Sequence, residues 1–360
     1  MMIIIRSLII WLVLLEAFAR RRQWHGLTWL AGLPTALLVG LVPLALFGVR
    51  WKPLAARFAL MSLPALAVQA GLASMRNWRL NPLRQLHPGT HADRTIERVD
   101  IVMPNGSMPA LYIVPHGQII GAVVVLHGSG CDKTYYAWRL AETFVSRGIA
   151  TLLVDLDGHG ESPRIQRFPD MLENATDGVA WLRERHIRVG LVGVSLGGCL
   201  AARAVADGLH VDGLALLETP PYLQFGREHM LREARALTEP FLLGLFGEST
   251  AYHLGYTIYD LIRVQGGPRI RCEIGTVDLI AALDLAGSLP RIGAPLLLIY
   301  GGRDAIVRRD QAAIVRRAAP TQAEFDLIAE ASHLSLTLHP QALDRLGGWM
   351  REAITGEDRA

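Results

Sequence analysis

Residues 188–202, RVGLVGVSLGGCLAA, decide the fold, because the pattern of a buried strand changes there to that of a helix around one serine. Ser195 stabilises little by packing, and Gly193 and Gly197 beside it lose more conformational freedom on folding than other residues would. The G-x-S-x-G spacing is typical of a sharp strand-to-helix turn that exposes a serine hydroxyl where larger neighbours would collide. A free hydroxyl is a weak nucleophile, so the pattern predicts a histidine base and an orienting acid elsewhere in the chain.

Strand-like and helix-like segments alternate on both sides of this turn. A hairpin is predicted around Asn105-Gly106, and continuous apolar runs such as GAVVVL, ATLLV and PLLLIY recur between helical stretches. Continuous apolar strands separated by helices favour an α/β fold with a mostly parallel sheet covered on both faces. Ligands of such sheets bind at the carboxyl ends of the strands.

The partners expected for Ser195 follow two of these strands. Asp304 comes directly after PLLLIYGGR, and His333 comes after FDLIAEAS. Each has a rival: His339 lies six residues beyond His333, and Glu218 ends the strand before that of Asp304. We favour His333 and Asp304, because His333 lies nearer its strand end and Asp304 follows the GGR turn.

An oxyanion site is predicted beside the serine. It would combine the backbone N–H of Leu196, at the start of the helix, with the N–H of Ser129 in the loop HGSG. We expect His127 and Gly128 to support that loop without transferring a proton.

Five motifs in register give the chain a resemblance to the α/β-hydrolase superfamily, over roughly residues 94–356. They are VVVLHGSG, DLDGHGES, GVSLGG, YGGRDAIV and ASH. The resemblance implies an eight-stranded sheet and a catalytic triad of Ser195, His333 and Asp304. It also implies a helical cap insert at about 219–292, whose Leu, Phe and Tyr content favours an acyl or other apolar ligand.

The expected function is that of a serine hydrolase that cleaves small-molecule or lipid-like carboxylic esters through an acyl-enzyme, with no metal and no organic cofactor. A thioesterase, an amidase or a C–C hydrolase would use the same triad. Outside the enzymes, the alternative is a membrane-bound α/β-hydrolase scaffold that binds a partner. The combination of serine, histidine and aspartate argues against that alternative, since a binding module needs no such set.

Three apolar runs, at 1–19, 26–49 and 54–75, predict a membrane-anchoring region over residues 1–76, followed by a linker at 77–93. The middle run has about 24 residues without an ionisable side chain, enough to cross a hydrocarbon core of roughly 30 Å. The first run could also be a signal peptide, and the third could lie in the interface. A hydrophobic helical subdomain packed on the enzyme is the alternative for all three.

The distribution of basic residues orients these runs. Arg20, Arg21 and Arg22 lie between the first two runs, whereas only Arg50 and Lys52 lie between the second and third. Cytoplasmic loops near membrane spans are enriched in such residues, so with three spans we expect the catalytic domain on the cytoplasmic face. If only two of the runs cross, the domain lies on the other face.

The charge distribution argues against a nucleic-acid-binding protein, and the cysteine spacing argues against a disulfide framework or a zinc site. The net charge of +3 is spread along the chain without a basic tract interleaved with aromatic residues, so nucleic acid is not an expected partner. The three cysteines have neither the spacing of a disulfide framework nor that of a zinc site.

Overall fold

The computed structural model describes residues 86–134, 137–224, 226, 228–229, 232–233 and 270–356. Its central feature is one β-sheet. In that part of the chain the sheet has nine strands, in the order β1-β2-β3-β5-β4-β6-β7-β8-β9. The strands are β1 Gly89–Thr90, β2 Arg94–Met103, β3 Gly106–Pro115, β4 Gly121–Leu126, β5 Ile149–Val154, β6 Val189–Val194, β7 Leu214–Leu217, β8 Leu296–Gly301 and β9 Glu324–Ile328. Strands β4 to β9 pair in parallel, whereas β1, β2 and β3 join antiparallel at one side. The predicted α/β fold with a mostly parallel sheet is confirmed.

The number of strands differs from the predicted eight. The additional strand, β1, pairs antiparallel with β2 through Gly89 opposite Ile96 and Thr90 opposite Thr95. It lies inside the segment predicted as a linker. Two residues are too few to show the alternation that identifies a strand in sequence, so only pairing with β2 defines this one.

The predicted hairpin is formed by β2 and β3, with Met103 opposite Gly106. Its turn is one residue earlier than expected, at Pro104-Asn105, and Gly106 is already the first residue of β3. Gly106 has a φ of 133°, which an L side chain rarely adopts, so the glycine permits the tight reversal.

Helices connect the parallel strands and pack on the sheet. They are α1 Ala137–Val145, α2 Glu173–Arg183, α3 Leu196–Ala206, α4 Thr276–Leu283, α5 Leu285–Ser288, α6 Arg309–Ala318 and α7 Pro340–Thr355, with short 3-10 turns at Asp170–Leu172, Leu289–Arg291 and Leu336–Leu338. Helices α1 and α7 contact each other, while α2, α4 and α5 contact α3. Helix α6 contacts α5. The helices therefore form two packed groups, one of α1 and α7 and the other of α2, α3, α4, α5 and α6.

Burial within β4 shows that both faces of the sheet are covered. The consecutive residues Val123 and Val124 point to opposite faces, and neither has any exposed surface. Val124 packs near Gly178 of α2, whereas Val123 lies beside Gly190 together with Met350 of α7. This explains why the central strands have continuous apolar runs.

The predicted cap insert is described only at its two ends. Its final part forms α4, α5 and the 3-10 turn, and Leu279, Ile280 and Leu283 of α4 are buried in the core against α3. These residues belong to the helical layer on the sheet. The central part of the insert lies outside the described residues.

The membrane-anchoring region predicted over residues 1–76 also lies outside the described residues, as does the linker before Leu86. None of the helices in the described part of the chain has the length and apolar character needed to span a bilayer.

Candidate active site

Ser195 lies at the junction of β6 and α3, at the carboxyl edge of the sheet. Its φ of 51° and ψ of −114° are rare for a residue with a side chain. The N–H of Ser195 donates to the carbonyl of Leu217 at 2.9 Å, which holds the strained residue against the end of β7. Strain of this kind is maintained only where the surrounding structure imposes it, and it is found at functional sites.

The two glycines of the motif are required by close backbone contacts. A Cβ at Gly193 would lie 2.4 Å from the Cα of Gly198, and a Cβ at Gly197 would lie 2.3 Å from the carbonyl oxygen of Leu126. No side chain fits at these distances. The glycines therefore let the helix begin directly over the strand ends and leave the serine at the turn.

His333 joins Ser195 to Asp304 by two hydrogen bonds. Its Nε2 lies 3.2 Å from the hydroxyl of Ser195, and its Nδ1 lies 2.8 Å from the Oδ2 of Asp304. An ionised carboxylate only accepts hydrogen bonds, so Nδ1 carries the proton and neutral Nε2 is the acceptor for the hydroxyl. The rival His339 lies at the N-terminus of α7 and forms neither of these two hydrogen bonds.

Backbone donors fix the carboxylate of Asp304. Its Oδ1 accepts from the N–H of Ile306 at 2.7 Å and of Val307 at 2.6 Å, which leaves Oδ2 for the imidazole. The side chain has no exposed surface. Asp304 is thus held in one orientation, and its charge acts on His333 without screening by water.

The charge beside the imidazole determines its basicity. Burial favours neutral imidazole, but the charge and hydrogen bond of Asp304, with a further contribution from Glu233, leave the pKa of His333 above its ordinary value. A base of raised pKa takes a proton from a hydroxyl more readily, although it must first be deprotonated itself.

Glu218, the rival acid, lies on the same side of His333 at the end of β7. Its Oε2 is 3.9 Å from Nδ1, too far for a hydrogen bond, and neither carboxyl oxygen has a hydrogen-bond partner among the described residues. Complete burial, together with the charges of Asp304 and Glu233, raises the pKa of Glu218 well above its usual range. The uncharged acid is therefore the favoured form of this residue.

The same three side chains could supply metal ligands. One ligand atom from each of Glu218, Asp304 and His333 lies within 4.8 Å of the others. Because Nδ1 and Oδ2 are already bonded to each other, a cation there would have to replace the hydrogen bond that orients the imidazole.

The two amides predicted for the oxyanion site belong to segments next to the serine, the start of α3 and the loop after β4. Leu196 is the first residue of α3, where a backbone N–H has no partner within the helix. The loop that contains Ser129 follows β4, and a Cβ at Gly128 would be 3.4 Å from the Cβ of Ser195, so this loop is in contact with the serine. The hydroxyl of Ser129 is hydrogen-bonded to that of Thr276 in α4 at 2.9 Å.

His127 holds this loop in place, away from the reacting groups. Its Nε2 accepts from the N–H of Leu156 at 3.1 Å, so the proton is on Nδ1, which donates to the carbonyl of Gly128 at 2.7 Å. The imidazole therefore joins the loop after β4 to the loop after β5, and both nitrogens are occupied.

Sequence reasoning missed a buried cluster of charged side chains that begins just after the β4 loop, at Lys133. The Nζ of Lys133 contacts the carboxylates of Asp155 and Glu161, and the backbone N–H groups of Lys133 and Glu161 also donate to Asp155, at 2.8 and 2.9 Å. Lys133 and Asp155 are buried. The only sequence signal was a lysine shortly after the apolar strand and its glycine loop, and that pattern does not identify its partners.

Comparison with known proteins identifies the family to which this chain belongs. Residues 123–346, well over half of the chain, match the alpha/beta hydrolase family. The pimeloyl-(acyl-carrier protein) methyl ester esterase of Chromobacterium violaceum is 29% identical over 239 residues, which cover 61% of this chain and 89% of that protein.

Two solved structures share the fold. A thermophilic esterase from Thermogutta terrifontis is 22% identical, with a TM-score of 0.52, and the match covers 72% of this chain and 100% of that one. A serine hydrolase from Cycloclasticus zankles is 14% identical, with a TM-score of 0.56, over 74% of this chain and 100% of that one.

Proposed function

Because this chain belongs to the alpha/beta hydrolase family and is a hydrolytic enzyme, we propose that it cleaves carboxylic esters through an acyl-enzyme on Ser195. The observation that carries the proposal is the hydrogen-bonded series from Ser195 through His333 to Asp304. A nucleophile, a base that reaches it and an acid that orients the base are the parts that acyl transfer requires.

In the first half of the reaction the Ser195 oxygen attacks the ester carbonyl carbon while Nε2 of His333 takes the hydroxyl proton. Asp304 stabilises the imidazolium that results and does not itself take the proton. The tetrahedral intermediate then collapses. Its bond to the leaving oxygen breaks, His333 returns the proton to that oxygen, and an alcohol departs.

In the second half the proton follows the same route with water as the nucleophile. Nε2 of His333 takes a proton from water, the hydroxide attacks the acyl carbon, and the proton returns to the Ser195 oxygen as the carboxylic acid leaves. The net reaction consumes one water and one ester and yields one alcohol and one acid.

The amides of Leu196 and Ser129 are proposed to donate to the oxyanion of both tetrahedral intermediates. Their support is the N–H at the start of α3, which has no acceptor within the helix, and the contact of the Gly128 loop with Ser195. Such donors act because charge develops on the carbonyl oxygen only in the transition state, and removal of one costs about 10²–10³-fold in rate in related chemistry.

One observation supports an ester as the substrate, and another supports an apolar acyl group. The relative from Chromobacterium violaceum is named as a methyl ester esterase. Residues 219–275, the part of the insert before α4, are rich in Leu, Phe and Tyr, the side chains that line sites for apolar ligands.

The decisive experiment combines covalent labelling with turnover. The full chain in detergent is treated with a fluorophosphonate probe, the adduct is located by mass spectrometry, and 4-nitrophenyl esters from acetate to palmitate are assayed. We expect an adduct on Ser195 and a loss of at least about 10³-fold in kcat/KM in Ser195→Ala. Ser146→Ala removes an exposed hydroxyl just after α1 and is the matched control.

The same preparation separates the alternatives. A thioesterase or amidase would form the adduct but would prefer acyl thioesters or anilides to oxygen esters. A binding scaffold would give no adduct on the folded protein, and that result would end the proposal.

Membrane attachment through residues 1–76, with the catalytic domain on the cytoplasmic face, is proposed from the sequence alone. We expect the full chain to stay with the membrane pellet after alkaline carbonate washing. Protease added outside sealed cells should leave the domain intact. Release into the wash would contradict the attachment, and digestion from outside would contradict the orientation.

A further inference from the structure

Besides Glu218, another buried carboxyl group lies beside the proposed triad, and the proposed reaction gives it no part. Glu233 belongs to the chain between β7 and α4, and only 3% of its surface is exposed. Burial of a carboxylate is costly unless hydrogen bonds compensate it, so its partners indicate what it does.

Those partners are the residues that follow the two orienting members of the triad. The N–H of Leu334, next to His333, donates to Oε1 of Glu233 at 2.7 Å. The N–H of Ala305, next to Asp304, approaches Oε2 at 3.3 Å. One carboxylate is thus bonded to both of the loops that carry the base and its acid.

The hydrogen bonds of Glu233 are important because the two loops that they join follow different strands. Asp304 is in the turn after β8 and His333 is in the turn after β9, and each turn lies outside regular secondary structure. A catalytic arrangement has to be held to within about 0.5 Å, which loops achieve only when other groups restrain them. Glu233 restrains both loops through backbone atoms, whatever side chains they carry.

We propose that Glu233 is a positioning residue for the ester hydrolysis proposed above, holding the His333 and Asp304 loops at their working separation and adding a second negative charge beside the imidazole. Three carboxyl groups of the described residues then lie close to His333: Asp304 is hydrogen-bonded to Nδ1, Glu218 lies 3.9 Å from Nδ1, and Glu233 accepts from the N–H of the next residue, Leu334. Asp304 and Glu233 each accept hydrogen bonds from two backbone N–H groups, which favour the ionised carboxylate, whereas the described residues give Glu218 no donor.

Electrostatics agree with this geometry. The charge of Glu233 contributes to the raised pKa of His333, and His333 in turn favours the ionised form of Glu233. Burial and the charge of Asp304 leave the pKa of Glu233 above its usual value, although His333 and the hydrogen bonds from Ser332 and Leu334 act in the opposite direction.

Three substitutions of Glu233 separate the effect of its hydrogen bonds from the effect of its negative charge. Glu233→Gln keeps the length but loses the charge and turns an NH2 group toward one of the two amides. Glu233→Asp keeps the charge but shortens the reach, and Glu233→Ala removes both. Glu228→Gln is the matched control, because Glu228 lies in the same connection, is 72% exposed and pairs with Arg232 at 3.5 Å.

We expect kcat to fall by about 10-fold in the Gln and Asp variants and by up to about 100-fold in the Ala variant, with KM changed by less than about threefold. The pH at which kcat/KM reaches half its maximum should move to lower values in Glu233→Gln and stay near the wild-type value in Glu233→Asp. Glu228→Gln should match the wild type in each respect.

A titration of His333 by NMR provides a readout that needs no substrate. The imidazole signal, assigned by its loss in His333→Gln, should titrate at a lower pH in Glu233→Gln than in the wild type. Folded Glu233→Gln with wild-type kcat and an unchanged titration of His333 would overturn the proposal. So would unfolding of all three Glu233 variants, since Glu233 would then serve the fold and not the site.

Failure of the Glu233 proposal can be distinguished from failure of the proposed esterase function. Absence of Ser195-dependent hydrolysis in the wild type would end the esterase assignment, while the titration would still decide whether Glu233 acts on His333.

Discussion

Asp304 and Glu218 approach the same nitrogen of His333 from adjacent strand ends, and only Asp304 forms a hydrogen bond with it. The oxygen-to-Nδ1 distances are 2.8 Å for Asp304 and 3.9 Å for Glu218. Two backbone N–H groups stabilise the charge of Asp304, whereas the described residues give Glu218 no hydrogen-bond donor. Two buried carboxyl groups so close together do not both ionise readily, so their surroundings assign the charge to Asp304.

Substitution of each acid by its amide should therefore have unequal effects. Asp304→Asn should lower kcat by about 10⁴-fold, because the amide favours the wrong tautomer of His333. Glu218→Gln should change kcat by less than about threefold, since one neutral group replaces another of the same shape. Steady-state hydrolysis of 4-nitrophenyl acetate at neutral pH measures both, and an equal loss in the two variants would contradict the assignment of charge.

The pH dependence of kcat/KM should reflect the raised pKa of His333. The base must be neutral to act, so activity should fall as the pH decreases through a value above the ordinary pKa of about 6.5. Asp304→Asn should move this acid limb to lower pH, as measured on its residual activity. A limb at or below the ordinary histidine value in the wild type would be inconsistent with the buried Asp304 charge.

The same shift affects stability. Because the folded state binds the His333 proton more tightly than the unfolded state, the contribution is fully present below the unfolded pKa and is lost as the pH rises through the folded one. Urea unfolding of wild type and His333→Gln across that interval measures it, and the difference between them should shrink as the pH rises.

Lys133→Met should destabilise the folded state by about 3–5 kcal/mol, because Asp155 would be left buried without its cation. Arg98→Met is the matched control. Arg98 contacts the same Glu161 at 3.1 Å but is 43% exposed, so its loss should cost less than about 1 kcal/mol. The free energies of unfolding in urea test the difference, and equal losses would rule out a special role for the buried pair.

Gly197→Ala should lower the free energy of unfolding by about 3 kcal/mol or more, since its Cβ would lie 2.3 Å from the Leu126 carbonyl oxygen. Gly348→Ala is the contrasting change. Gly348 lies within α7, and a Cβ added there would have no neighbouring atom within 4 Å, so alanine should stabilise by up to about 1 kcal/mol through helix propensity. Thermal unfolding of the two variants should give opposite shifts in Tm.

Much of the fold could be predicted because its signals are local. Apolar runs bounded by glycine identify β4, β5, β6 and β8, and the glycine spacing around Ser195 identifies the turn. Strand β1 could not be predicted in this way, because its two residues are defined by their pairing with β2. The packing of the final part of the insert could not be predicted either, since the apolar residues of α4 face α3 and sequence alone does not show which surface covers them.

By itself, the sequence determined which residue types stand at the strand ends: a serine between glycines after β6, carboxyl groups after β7 and β8, and a histidine after β9. Neighbouring residues encode these features, so they can be read without coordinates. Only the tertiary structure showed that Asp304, and not Glu218, is hydrogen-bonded to His333, and only it brought Glu233 and Lys133 to loops far away in the chain. Those choices depend on distances of about 1 Å and on burial, which arise when segments remote in sequence pack together.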